Sequence, residues 1–153
     1  MFDVLIIGGG VSGVSAALIF GSAKEKSFMA DKKIGIIAHQ KSSSLQNAIY
    51  NNAYGITPGK LGSELLDESL AHLSERYPHI IQIENEKVIE ISGKSGNFTI
   101  TTNKNAYLSK IIMIAIGAGN PFTIEGLENY IIPHKKAAPE KNRFKSVIPW
   151  LVA

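Results

Sequence analysis

The chain has 153 residues, of which 44% are hydrophobic and 19% charged, and this length and balance fit a single globular domain with a sizeable buried core. The formal charge of +3 comes from scattered Lys and Arg residues rather than a basic cluster, which argues against a nucleic-acid footprint. No cysteine is present, so disulfides, thiolate metal sites and redox steps built on a Cys pair are excluded.

Residues 2–7 (FDVLII) form a short β-branched run closed by Gly8-Gly9-Gly10, the pattern of a buried parallel strand. Asp3 stands where a signal peptide would carry positive charge, and the glycines cut the apolar run short. No apolar stretch reaches the length needed to cross a bilayer. A soluble, cytoplasmic protein with no membrane or nucleic-acid partner is therefore expected. Residues 11–20 read as a helix whose Ser12, Ser15, Ala16 and Ala17 suit close packing on a sheet, with Gly21 loosening or ending it. Residues 23–32 are a polar connection longer than the usual link between a helix and a strand. Residues 33–38 (KIGIIA) are a second buried strand, and the three elements together make a βαβ unit with parallel strands.

A polar loop rich in Ser, Asn and Gly follows over residues 39–57. Leu65, Leu66, Leu70 and Leu73 then recur at helical spacing across residues 64–76, and Pro78 stops that helix. Residues 80–83, 87–92 and 97–102 read as strands. Gly93-Lys94-Ser95-Gly96 and Asn103-Lys104-Asn105 are the turns that follow the last two. Residues 110–116 (KIIMIAI) are a further buried strand running into Gly117-Ala118-Gly119-Asn120-Pro121. Residues 135–145 are basic, contain Pro139 and lack periodicity, which marks a linker or tail. Residues 147–152 hold Pro149 and Trp150 and could serve as a short docking segment. The expected organisation is a dinucleotide-binding domain over 1–130 and a C-terminal tail or linker over 131–153.

Gly8-x-Gly10-x-x-Gly13 carries the chemistry. A glycine string alone says little, but this one leaves a buried strand and opens a helix inside a βαβ unit. Gly8 permits the tight turn, Gly10 lets a pyrophosphate approach the backbone, and Gly13 lets the helix pack against the strand. Free N–H groups and the positive helix end near Val11 and Ser12 then meet the phosphates. The second strand ends differently from the usual pattern. Asp or Glu commonly accepts the adenosine ribose hydroxyls there, whereas this chain has His39, Gln40 and Lys41. His or Gln bonds a hydroxyl more weakly than a carboxylate does, and a basic residue suits a 2′-phosphate. On these residues FAD and NADPH are both open. His72, His79 and His134 lie far from the motifs and suggest no ligand role, and no Ser-His-Asp arrangement, metal site or carboxylate pair is visible.

From Met1 to about Tyr130 the chain resembles the FAD domain of thioredoxin reductase-like flavoproteins, within the wider pyridine nucleotide-disulfide oxidoreductase group. FDVLIIGGGVSG is similar to the family's opening strand and phosphate turn. NNAYGITPGKLGSELL resembles the segment that approaches the flavin and enters a helix. Asn52, Gly55, Gly59, Gly62, Glu64 and Leu65 stand at the matching places. NEKVIEISGKSGNFTITTNKNAYLSKIIMIAIGAGNP resembles the small antiparallel sheet and the Ala-Thr-Gly strand end, and TIEGLENY the loop after it.

The resemblance implies an α/β, Rossmann-like FAD/NAD(P)-binding fold with a central parallel sheet and a small antiparallel β-meander. It implies that Gly8, Gly10, Val11, Ser12 and Gly13 hold the pyrophosphate and that His39 and Gln40 lie by the adenosine ribose. Asn47 and Asn52 would fall near the flavin or ribityl chain, with Ala115, Gly117 and Ala118 close beneath the cofactor. Asn47 and Asn52 serve equally well as loop-shaping residues, since Asn favours turns. The ordered set of motifs tips the choice to FAD, with NADPH as the alternative, and implies an FAD-dependent oxidoreductase.

Three departures qualify this expectation. His39 replaces the acid after the second strand, and Ile116 replaces the Thr of the Ala-Thr-Gly motif. The sequence also stops before the family's NADPH domain and before the C-terminal segment around the flavin ring, and it has no Cys pair. Thioredoxin reduction by this chain alone is excluded. Electrons would have to come from an electron-donor protein or a free pyridine nucleotide, and a homodimer or second subunit could complete the site. The competing expectation is a non-catalytic or truncated dinucleotide-binding module. No residue is placed as a general acid, base or nucleophile.

Overall fold

The computed structural model describes residues 1–38, 46–117 and 124–126, together with the backbone alone of 131–132 and 143–144. The first apolar run is strand β1 (Phe2–Ile7), followed by helix α1 (Val11–Ser22) and strand β2 (Ile34–Ala38). Helix α1 runs through Gly21 instead of ending there. Gly21 is buried, and a Cβ added to it would lie 2.5 Å from Tyr77 Cγ, so this glycine serves a close packing contact. The polar connection after α1 is ordered around a single 3-10 turn at Ser27–Met29.

Within the segment expected to be loop, Ile49–Tyr50 (β3) pairs antiparallel with Lys60–Leu61 (β4). Helix α2 (Gly62–Arg76) follows directly, starting two residues earlier than its leucine spacing indicated. Glu64 Oε2 accepts a hydrogen bond from the Leu61 N–H at 3.4 Å, which satisfies one of the helix's free donors. Lys60 bonds Glu68 at 2.5 Å and lies 3.4 Å from Glu64, tying the hairpin to the helix.

The remaining strands are β5 (Ile81–Glu84), β6 (Val88–Lys94), β7 (Asn97–Thr102) and β8 (Ala106–Ile114). Strand β6 continues through Gly93 and Lys94, leaving only Ser95 and Gly96 to turn. Further on, β9 (Ile131–Ile132) pairs antiparallel with β10 (Arg143–Phe144).

One six-stranded sheet organises the chain, in the order β5-β2-β1-β8-β7-β6. Strands β5, β2, β1 and β8 are parallel, and β7 and β6 extend the sheet antiparallel. The α/β architecture with a central parallel sheet and a β-meander is thus as expected, but the meander is not separate from the sheet. Strand β8 belongs to both parts. Residues Ala106–Ser109 pair with β7, and from Ser109 to Ile114 the strand pairs with β1. Ser109 is fully buried at this change of partner, and its hydroxyl donates to the Ile111 carbonyl at 2.6 Å. The strand begins four residues before the apolar run KIIMIAI because its first half, with Leu108 exposed and Tyr107 half-buried, alternates instead of reading as a solid apolar block.

Side-chain alternation divides the core into two layers. Ile6, Ile34 and Ile36 face the helices and pack with Val14, Ala17, Leu66 and Leu73. Leu5, Ile7, Ile37 and Ile83 face the meander and pack with Val88, Ile91 and Ile100. Residues Ile124–Gly126 lie beside β6. Ile91 N–H donates to Glu125 O at 2.8 Å, Glu125 N–H donates to Ile89 O at 2.9 Å, and Ile124 is buried in the meander core. At the opposite end of the sheet from the glycine turn, Asp3 accepts hydrogen bonds from Lys110 Nζ at 2.8 Å and from the Lys33 N–H at 2.9 Å. The Lys110 bond, then the Lys33 N–H, hold the Asp3 carboxyl below its ordinary value.

Candidate functional site

The chain leaves β1 at its C-terminal end, where open α/β sheets place their ligands. Gly8 sits at φ +122°, a backbone conformation that L side chains rarely adopt. A Cβ there would lie 2.3 Å from the Ala115 carbonyl oxygen, so the turn is pressed against the exit of β8. The Ala115 N–H donates to Ile7 O at 2.8 Å, which fixes that exit, and the Gly8 N–H donates to Ile37 O at 3.0 Å. At Gly13 a Cβ would fall 1.8 Å from Gly8 O and 3.4 Å from Ala115 Cβ. Gly8, Gly13 and Ala115 therefore meet in one tight cluster.

Gly9 joins it from the other side, since a Cβ there would lie 2.6 Å from Ala38 Cβ at the end of β2. The sequence motif assigned no task to Gly9. Its place in an unbroken glycine triplet was the available signal. The residue that follows Ala38 in the sequence is His39, and His39, Gln40 and Ala118 lie outside the described residues.

Gly10 is the N-cap of α1 and offers no side chain to cap it, and no acidic residue stands in the first turn. The first helical bond is donated by Val14 N–H to Gly10 O at 2.9 Å, which leaves the N–H groups of Val11, Ser12 and Gly13 free of intrahelical partners. Val11 is 53% exposed and Ser12 is exposed, so this end of the helix opens to solvent. Uncapped donors and an unneutralised dipole end make a cradle for an anion. Side chains at Gly8 or Gly13 would fill the space that the turn itself occupies. The arrangement fits the pyrophosphate of a dinucleotide.

The pyridine nucleotide-disulphide oxidoreductase family matches residues 2–148. The chain belongs to this family. It is 30% identical over 139 residues to a ferredoxin–NADP reductase of Streptococcus pneumoniae, an alignment covering 85% of this chain and 40% of that protein. A ferredoxin–NADP reductase of Shouchella clausii is 29% identical over 119 residues, covering 78% of this chain and 35% of the relative. Among solved structures, an oxidoreductase from Agrobacterium tumefaciens superposes with a TM-score of 0.62 at 28% identity, covering 84% of this chain and 41% of that one. The thioredoxin reductase of T. acidophilum gives 0.61 at 25% identity, over 84% of this chain and 40% of the other. The chain spans about 35–40% of the length of these ferredoxin–NADP reductases.

The other expected site residues among those described are Asn47, Asn52 and Gly117. Asn47 and Asn52 are exposed on either side of β3, and neither forms a side-chain hydrogen bond among the described residues. Between them in the sequence, Asn51 Oδ1 accepts the Gly59 N–H at 3.1 Å and closes the β3–β4 hairpin. Gly117 has φ +69° and open space where its Cβ would be, immediately beyond the strand exit that contacts Gly8. Strand β8 itself ends at Ile114, two residues short of Ile116. His72 and His79 both contact the Tyr77 ring, with centroid separations of 5.8 and 6.2 Å, far along the chain from the glycine turn. Among the described residues no group of His, Asp or Glu is arranged to hold a metal ion, and no helix is long and apolar enough to cross a membrane.

Proposed function

We propose that this chain is the FAD-binding part of an oxidoreductase. The observation that carries the reading is the β1–α1 turn, where an uncapped helix start lies beside glycines that cannot take a side chain. The free N–H groups of Val11, Ser12 and Gly13 would bond the pyrophosphate, with Gly8 and Gly10 keeping the approach clear. His39 and Gln40 would lie by the adenosine ribose. Asn47, Asn52, Ala115, Gly117 and Ala118 would border the ribityl and flavin end.

When bound, the flavin supplies the electron chemistry; the chain's own residues bind and orient it. No side chain is assigned to proton transfer. The relatives named as ferredoxin–NADP reductases support an electron-donor protein or a free pyridine nucleotide as the source of electrons. Without a cysteine, the chain cannot itself reduce a disulfide through a dithiol. A cytoplasmic location accords with that absence.

Freshly purified protein is expected to show flavin absorbance and to release FAD on denaturation. A colourless protein that added FAD does not stabilise would overturn the proposal. A second reading, NADPH in the same cradle, is favoured by His39-Gln40-Lys41 in place of an acid after β2. Thermal stabilisation by NADPH exceeding that by FAD would establish it. Uptake of FAD with no reduction by NADH, NADPH or a dithionite-linked donor would instead leave a non-catalytic binding module.

A further inference from the structure

Residues 111–116 (IIMIAI) are as apolar as β1 and β2, yet they are less buried. Leu5, Ile6 and Ile7 in β1 and Ile34, Ile36 and Ile37 in β2 are at most 3% exposed. Ile111 is 39% exposed, and every residue from Ile112 to Ile116 is only half-buried. The register explains the difference. On the side away from β1, β7 pairs with residues 106–109 of β8, and the Gly96 N–H donates to the Lys110 carbonyl at 2.9 Å. Past that point, among the described residues, no strand pairs with this side of residues 111–114. The result is an open edge within an apolar parallel sheet, a place where another strand can add.

The end of the chain carries a matching element that the proposed cofactor site does not use. Val147, Ile148, Trp150, Leu151 and Val152 form an apolar run interrupted only by Pro149. Proline has no N–H to donate, so such a run fits a sheet as an edge strand with Pro149 turned outward. The distance is within reach. Gly126 lies against Ile91, which stands opposite Ile100 and, beyond it, Tyr107. With strands about 4.8 Å apart and about 3.3 Å per residue along them, Ile111 is roughly 20 Å from Gly126. The chain from Gly126 to Ile131, across to its partner Phe144 and on to Val147 spans up to about 30 Å. Charge acts in the same direction. Residues 135–145 carry five of the chain's 16 Lys and Arg and one of its 13 Asp and Glu, which leaves the remainder at net −1.

We propose that residues 147–152 dock along the open edge of β8. Ile148, Trp150 and Val152 would share one face of the added strand and cover Ile111 and Met113, which the register places on one face of β8. Pro149, turned outward, would keep a further strand from adding.

Trp150 is the only tryptophan, so its fluorescence reports this contact by itself. In the full chain its emission should lie to the blue of the urea-unfolded value and resist quenching by acrylamide. Ile111→Lys should shift the emission to the red and raise quenching several-fold while keeping the parent's far-ultraviolet circular dichroism. Ile81→Lys, on the edge strand β5, should change neither. Trp150→Ser should speed hydrogen exchange at the amides of residues 111–114 and leave those of β5 as they were. Emission already at the unfolded value, an equal response to Ile81→Lys, or unchanged exchange in Trp150→Ser would each overturn the proposal. So would a blue shift lost on dilution as a dimer dissociates, because the run would then cover a second copy.

Discussion

Gly13 lies inside a helix, where replacing glycine by alanine ordinarily stabilises by about 1 kcal/mol. Here the sign should reverse. A Cβ at Gly13 would stand 1.8 Å from Gly8 O and 3.0 Å from Gly8 C. Close carbon–oxygen contacts begin near about 3.3 Å, so the turn and the helix would have to part by about 1.5 Å. Ala115 Cβ lies 3.4 Å beyond the same point, and Gly8 is itself held by its bond to Ile37, so neither side can yield freely. Overpacking this severe should cost about 3 kcal/mol, the upper end of the usual range, which leaves Gly13→Ala less stable by about 2 kcal/mol after the propensity gain. For a chain of this size that is a fall in Tm of about 4–8 °C. Urea denaturation followed by circular dichroism measures it, with the exposed Ser15→Ala on the same helix as the propensity control. If Gly13→Ala gains stability as Ser15→Ala does, the contact between Gly8 and Gly13 is not as described.

Three further outcomes follow from particular contacts. Gly126→Ala would place a Cβ 1.8 Å from Ile91 O at φ +91°, so it should release residues 124–126 from β6 and lower stability by about 2 kcal/mol or more, read from the urea midpoint. Leu73→Ala removes a side chain with 0% exposure from the helix-side core and should cost about 2–5 kcal/mol, while Leu65→Ala on the partly exposed side of α2 should cost much less. Glu86 gives a pH test. Its carboxylate accepts bonds from Thr102 Oγ1 at 2.6 Å, Asn105 Nδ2 at 2.7 Å and Tyr107 OH at 2.9 Å. Thr102 foremost, then Asn105 and Tyr107, hold its pKa below the ordinary 4.5. A lowered folded-state pKa stabilises above the unfolded value, and that stability is lost as the pH falls from about 4.5 through the folded value. Thr102→Val should be less stable at pH 7 and show a shallower acid-side loss; parallel loss in both proteins across this range would refute the assignment.

The sequence made the βαβ start legible because the two apolar runs are dense and the glycine triplet follows the first directly. Two kinds of feature were not legible. Gly21 reads locally as a helix terminator, and only tertiary contact with Tyr77 shows that it is a packing position. Strand β8 reads as beginning at Lys110 because an unbroken apolar run marks only its second half, which pairs with the central strand β1. Its first half pairs with β7 at the edge of the core and keeps an alternating pattern that a search for apolar blocks passes over. The β3–β4 hairpin is shorter still, with two residues in each strand, too few for any periodicity to show. In the site, the motif assigned Gly8, Gly10 and Gly13 from their spacing between a strand and a helix, whereas the contacts of Gly9 and Ala115 depend on where β2 and β8 end in space.

The distribution of these contacts leads to a last prediction about the cofactor itself. Among the described residues, every tight feature of the candidate site lies at the pyrophosphate end: Gly8 against Ala115, Gly9 against Ala38, Gly13 against Gly8, and the free donors of α1. At the proposed flavin end Asn47 and Asn52 are exposed, and Gly117 has open space beside it. Affinity should therefore reside mainly in the ADP half of FAD. Stabilisation by a ligand grows as RT ln(1 + [L]/Kd), so two ligands whose Kd values differ less than tenfold differ by less than about 1.4 kcal/mol at the same saturating concentration. For this chain that is a Tm difference of no more than about 3–6 °C. Thermal unfolding with ADP, FAD and riboflavin at equal concentration tests the point. ADP should approach FAD, and riboflavin should give no shift. Strong stabilisation by riboflavin, or FAD exceeding ADP by a hundredfold in Kd, would mean that this chain closes over the isoalloxazine ring and that the flavin end contributes most of the binding.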